Sequence, residues 1–103
     1  MKTTNSKCKN FVQVKQAFQA NNLKAIWKAV DQDQGLYIIY SYNWYPLFVF
    51  DKSQDTWFEN SGRYSVSTSK QRGQCHPGTK TVLKTIEELQ DLIKFKKSNI
   101  LVA

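Results

Sequence analysis

Residues 36–42 (Leu-Tyr-Ile-Ile-Tyr-Ser-Tyr), 46–50 (Pro-Leu-Phe-Val-Phe) and 56–59 (Thr-Trp-Phe-Glu) form three β-favouring runs separated by turn formers. No other feature of the chain limits its fold as much. The connections, Asn43-Trp44-Tyr45-Pro46 and Asp51-Lys52-Ser53-Gln54-Asp55, are too short for a crossover and suit antiparallel pairing. Within 36–42, alternate positions send Leu, Ile, Tyr and Tyr to one face and Tyr, Ile and Ser to the other. Both faces are partly apolar, which predicts a central strand. Upstream, Lys24, Ile26, Lys28 and Val30 alternate with Ala25, Trp27 and Ala29. The turn-forming residues 31–35 then lead into 36–42, so 24–30 is expected to be a hairpin strand.

Helices are expected on both sides of this block. Phe11, Val14, Ala17 and Phe18 fall on one helical stripe, predicting a helix over 10–20 that stops at Asn21-Asn22. Ser67 or Thr68 is a suitable N-cap for a short helix ending near Gly73, which would expose Lys70 and Arg72. Thr85-Ile86-Glu87-Glu88 matches the capping box, and Ile86, Leu89, Leu92 and Ile93 supply the apolar stripe behind it. Lys94, Lys96 and Lys97 complement the C-terminal end of that helix. At 103 residues the chain has room for one core. The expected architecture is α+β: a three- to four-stranded antiparallel meander packed by an N-terminal and a C-terminal helix. A flexible basic arm (1–9) precedes the single domain (10–97), and a tail or edge strand (98–103) follows it.

Charge is uneven along the chain. Residues 1–30 carry six Lys and no acid, whereas 31–60 set Lys52 against Asp31, Asp33, Asp51, Asp55 and Glu59. Residues 61–103 are basic again, and the net formal charge is +7. If the two basic ends fold onto one side, their field would concentrate an anionic partner. No run reaches the roughly 20 apolar residues of a membrane-spanning helix, and the first residues lack the apolar segment of a secretory signal. A cytoplasmic setting, no membrane partner and two reduced thiols, Cys8 and Cys75, are therefore expected.

Catalytic and metal chemistry find little material. Cys75 and His76 are adjacent, but the one further soft ligand, Cys8, is distant in sequence, short of the four ligands of structural zinc. The carboxylate pairs Asp31/Asp33 and Asp51/Asp55 lie in turns, where solvated acids are ordinary. Four glycines leave no phosphate-cradling loop. No cofactor, no metal site and no enzyme activity are expected. Nucleic-acid contact needs cations for phosphates and aromatic faces for bases. Arg63, Lys70, Arg72, Lys80 and Lys84 flank a Ser/Thr-rich segment and supply the first, and Tyr37, Tyr40, Tyr42, Trp44 and Tyr45 supply the second.

The runs 36–42, 47–50 and 57–58, followed by Tyr64-Ser65-Val66-Ser67-Thr68-Ser69-Lys70-Gln71, resemble small uncharacterised domains of phages and other mobile elements. In those domains a Tyr-Ser-Tyr strand leads through a meander to a Tyr-Ser-x-Thr-Thr-Ser-Lys-His-Gln box. The resemblance covers roughly residues 23–75. Here Ser67 stands where Thr is common and Gln71 where His is typical, and the loss of that His weakens a catalytic reading of the box. What the resemblance implies is a mobile-element protein in a host cytoplasm, without an established activity. Two functions follow as expectations. One is a binder of nucleic acid or a nucleoprotein complex through Arg63, Lys70, Arg72, Lys80 and Lys84. The other is an inhibitor of a host defence nuclease, of the anti-CRISPR kind, docking through Trp44, Tyr45 and Trp57, since aromatics dominate binding hot spots.

Overall fold

The computed structural model describes the backbone of residues 2–28, 35–42, 44–62 and 66–102, and the side chains of these except 66–69 and 95–102. Six strands, β1 (Phe18–Gln19), β2 (Leu23–Lys28), β3 (Leu36–Ser41), β4 (Tyr45–Asp51), β5 (Thr56–Asn60) and β6 (Val82–Lys84), form one sheet in chain order. Three helices complete the described fold: α1 (Cys8–Gln13), preceded by a 3-10 turn at Asn5–Lys7, α2 (Val66–Gln74) and α3 (Ile86–Val102). The α+β class agrees with the sequence reading, but the sheet is larger than a three- to four-stranded antiparallel meander and is mixed. β1 to β5 pair antiparallel, whereas β6 runs parallel to β5 because α2 carries the chain back across the sheet.

Alternation along the strands assigns two faces. On the first, Phe18, Leu23, Ala25, Tyr37, Ile39, Tyr45, Phe48, Phe50 and Trp57 pack with Cys8 and Val12 of α1 and with Cys75 just beyond α2. On the second, Leu36, Ile38, Val49 and Phe58 pack with Leu89 of α3, joined by Ile26, Tyr40, Leu92 and Ile93. β3 is central, as its two apolar faces predict. Every residue of β4 is buried for the same reason.

Four departures from the expected elements have local causes. The helix over 10–20 ends early, because Lys15 takes a left-handed backbone (φ 53). Val14 is then 68% exposed, and Phe18 enters the core from β1 instead of from a helical stripe. Residues 2–9 are no free arm: Lys2 bridges to Gln19, the Thr3 N–H donates to the Gln19 carbonyl at 2.8 Å, and Cys8 is buried. α2 already begins at Val66, so neither Ser67 nor Thr68 caps it. At the C-terminus, helical backbone runs through Val102 in place of a tail or edge strand. The α3 capping box forms as read, with Glu88 N–H to Thr85 Oγ1 at 3.2 Å and Thr85 N–H to Glu88 Oε1 at 3.0 Å. The expected turn at 31–34 and the strand end at Ala29-Val30 lie outside the described residues.

Candidate nucleic-acid interface

The five cations nominated from sequence do not form one patch. Lys70 is exposed on α2, which packs against the first face. Arg72, expected on an exposed turn, is instead drawn inward and paired with Glu59, and its Nη1 reaches the Gly62 carbonyl at 3.4 Å. Lys80 is exposed ahead of β6. Lys84 sits on the second face, its Nζ 5.5 Å from the Phe58 ring centroid and 3.8 Å from Glu88. Arg63 lies outside the described residues.

Glu59 gathers much of this polar chemistry. Its Oε1 accepts the Thr81 hydroxyl at 2.7 Å and stands 3.7 Å from His76 Nε2, while Oε2 meets Arg72. Burial alone would push its pKa up. The Thr81 hydrogen bond and the Arg72 guanidinium, with a smaller contribution from His76, outweigh burial and hold the carboxyl below its ordinary range. His76 Nδ1 accepts the Gly78 N–H at 3.0 Å, so that nitrogen is already occupied. The cluster ties β5 to α2 and to the segment entering β6.

Of the nominated aromatics Trp44 and Tyr42 reach solvent, at 52% and 50% exposure. Tyr45 and Trp57 are buried on the first face, where Trp57 packs against Tyr37, Phe48 and Phe50 with ring centroids 5.3–6.4 Å away. Trp44, Tyr45 and Trp57 therefore make no common docking rim. Tyr37 is also core, its hydroxyl donating to the Gln16 carbonyl at 2.7 Å. Alternating aromatics in these strands are mostly there to fill the sheet faces.

A different set of residues converges beside α3. Lys28 of β2, Tyr40 of β3, Trp44 and Pro46 at the start of β4, and Gln90, Ile93 and Lys94 of α3 line a groove of about 230 Å³. The sheet places them: Lys24 pairs with Tyr40 and Tyr40 with Pro46, and a bulge after Ile39 leaves Leu47 as the extra residue of β4. α3 packs over β4 and β5, so the second face towards β2 and β3 is left as the floor of the groove. Neither Lys28 nor Lys94 has a carboxylate within ion-pair distance among the described residues. Trp44 is steadied edge-on by Tyr45 at 5.3 Å, a fixed support under an exposed ring. Lys28, Tyr40 and Lys94 were not singled out together from sequence. The alternation Lys24-Ile26-Lys28 put lysines on a sheet face, but only strand register shows that an aromatic and a helix lie beside them.

Both cysteines are free and buried in the first-face core. Burial pushes the Cys8 thiol up to about 11 and the Cys75 thiol up as well. Neither is a nucleophile at neutral pH. Among the described residues no three His, Cys, Asp or Glu side chains converge as metal ligands, and no helix is long and apolar enough to cross a membrane. Comparison with protein-family models, curated proteins and solved structures finds no match to the chain.

Proposed function

We propose that the chain is a small, basic, non-enzymatic binding protein of the phage or mobile-element type that holds single-stranded nucleic acid in the groove beside α3. The observation that supports this reading is the meeting of Lys28 and Lys94, neither paired with a carboxylate among the described residues, with an exposed indole and the Tyr40 ring in one concavity. Ammonium groups flanking aromatic faces match a strand that offers phosphates and unstacked bases in alternation. In a duplex the base faces are already stacked and leave nothing for the indole to stack on.

The test is fluorescence anisotropy of labelled single-stranded and duplex oligonucleotides over a salt series. Single strands are expected to bind more tightly, with log affinity falling by about 0.7 per phosphate contact for each log unit of salt. Trp44→Ala is expected to cost about 1–3 kcal/mol at each salt concentration by removing one stacking face. Lys28→Ala and Lys94→Ala should each flatten the salt slope. Affinity that ignores both salt and Trp44 would end the proposal.

A second reading, an inhibitor that docks on a host defence protein, draws on a separate observation. Val82 and Leu83 are exposed on the edge strand β6, Leu83 at 62%. The Ser61 N–H donates to the Lys84 carbonyl, which turns the backbone groups of Lys84 inward and those of Leu83 outward, free to pair with another strand. A stoichiometric complex with a purified defence nuclease that is lost in Leu83→Asp, in a protein that fails to bind oligonucleotides, would favour this reading over the first.

A further inference from the structure

The largest of the surface cavities described, about 550 Å³, is separate from the groove and is lined by Lys15, Phe50, Asp55, Thr56, Trp57, Thr79, Lys80, Thr81 and Val82. Its aromatic wall, Phe50 and Trp57, belongs to the first face, whereas the groove beside α3 belongs to the second. Two of the three described non-glycine residues with positive φ line it, Lys15 (φ 53) and Asp55 (φ 48). A left-handed backbone is unfavourable for lysine, so its persistence requires support from the surroundings. That support is visible: the Lys15 N–H donates to the Val12 carbonyl at 3.0 Å, and the Trp27 indole donates to the Lys15 carbonyl at 2.7 Å. The backbone so fixed sets the Lys15 ammonium 4.6 Å from the Phe50 ring centroid.

An ammonium held by a ring face keeps its full charge, because the ring attracts it without neutralising it. Among the described residues neither Lys15 nor Lys80 forms an ion pair with a carboxylate. Thr81 donates its hydroxyl to Glu59 and Thr56 donates to the Gln54 carbonyl, but among the described residues the Thr79 hydroxyl has no partner. Asp55 adds one acceptor-only group to the same wall. Among the described residues the cavity thus offers two cations without an ion pair, an unpartnered hydroxyl, an aromatic wall and one carboxylate. A bare dianion would satisfy the lysines and be repelled by Asp55. A ligand carrying hydroxyl groups next to its phosphate satisfies both.

From this combination we infer that the cavity is a binding site for a ribose phosphate unit. The phosphate monoester, with its charge of about −2, lies between Lys15 and Lys80 with Thr79 as a further donor. The sugar donates a hydroxyl to Asp55 and rests over the small part of Phe50 and Trp57 that reaches the cavity. The volume suits a pentose phosphate or a nucleoside monophosphate.

The test is titration of the ¹⁵N-labelled protein, followed by amide and indole shifts, with ribose 5-phosphate, AMP, adenosine and inorganic phosphate. Ribose 5-phosphate and AMP are expected to move the Asp55, Thr79 and Thr81 amides and the Trp57 indole with a common saturation. Adenosine should leave them in place, and inorganic phosphate should bind more weakly. Lys80→Ala, at an exposed position, should weaken binding about tenfold. Lys15→Gly should do the same while keeping the fold, because glycine adopts φ 53 freely. Dinucleotides with a 5′-phosphate or a 5′-hydroxyl separate the sources: a preference for the phosphorylated end assigns the site to a nucleic-acid terminus, and its absence assigns it to the free nucleotide or sugar. Lys28→Ala and Lys94→Ala should not change these titrations, so failure of the groove proposal and failure of this one are distinguishable. Shifts that persist in Lys15→Gly/Lys80→Ala, or adenosine or inorganic phosphate binding as tightly as ribose 5-phosphate, would overturn the assignment.

Discussion

Replacing Gln71 by Met tests whether a single buried amide fastens α2 to the sheet. Gln71 is 2% exposed, and its Oε1 accepts the Ser41 hydroxyl at 2.6 Å while its Nε2 donates to the Asn22 carbonyl at 3.2 Å. Met has a similar length and leaves no sizeable cavity, so the change isolates the hydrogen bonds. The Ser41 hydroxyl, itself buried, would lose its partner at a cost of about 1–3 kcal/mol. The half-buried Asn22 carbonyl can find water and adds less, giving a loss of about 2 kcal/mol in all. Gln71→His, which restores the residue typical of the resembling mobile-element box, should cost about 1 kcal/mol or less, because neutral imidazole also offers one acceptor and one donor. Urea unfolding followed by tryptophan fluorescence measures both, and Ser41→Ala completes a double-mutant cycle with an expected coupling of about 1 kcal/mol. Gln71→Met as stable as the parent, or additive effects of Gln71→Met and Ser41→Ala, would refute the role given to this amide.

Two further outcomes follow from the buried titratable groups. Glu59 has its pKa depressed in the folded state, so the stability it contributes is fully present above its unfolded value, ordinarily 4.5, and is lost as pH falls through the lower folded value. Glu59→Gln should lower the urea midpoint at neutral pH, with the gap from the parent closing in the acid range below 4.5; a gap that persists undiminished in strong acid contradicts the ion-pair account. For the thiols, burial raises both pKa values, so a disulfide-exchange reagent at mildly alkaline pH should label neither Cys8 nor Cys75 in the native protein and both in urea. Native labelling at the rate of a free cysteine would show that the first-face core opens far more readily than its packing implies.

The central strands were legible because their signal is local. Residues 36–42 and 46–50 carry apolar side chains on both faces, which calls for interior strands with a packed layer on either side. The edges were not legible, for the opposite reason. β6 is three residues long with Val82 and Leu83 exposed, so nothing in its pattern marks it as a strand; it exists because α2 returns the chain alongside β5. β1 was masked by a helical spacing that includes Phe18, and the left-handed backbone at Lys15 that breaks this helix has no glycine or proline to announce it. Asp51 was read as a solvated turn acid, yet it is fully buried, with its carboxylate accepting from Ser53 N–H, Ser53 Oγ and Gln54 Nε2. The candidate site was illegible for a related reason. Arg72 and Trp57 belong to residue types that serve binding surfaces and interiors equally well, and only the position of Glu59 and the second neighbouring strand settled which role each took.

Charge along the chain shows the same limit from another side. A field concentrating an anionic partner required the basic ends to fold onto one side, yet α1 packs against the first face and α3 against the second. The lysines of residues 1–30 are consequently divided: Lys7 and Lys9 go with the first-face helix, whereas Lys24 and Lys28 lie along β2 on the second face, across from Tyr40 and near Lys94. It is a strand in the middle of the sheet, not the terminus, that brings N-terminal charge to C-terminal charge. Binding of a polyanion in the groove should therefore depend on the register of β2 with β3, because a slip of one residue would turn Lys24 and Lys28 to the opposite face and put Ala25 and Trp27 in their place.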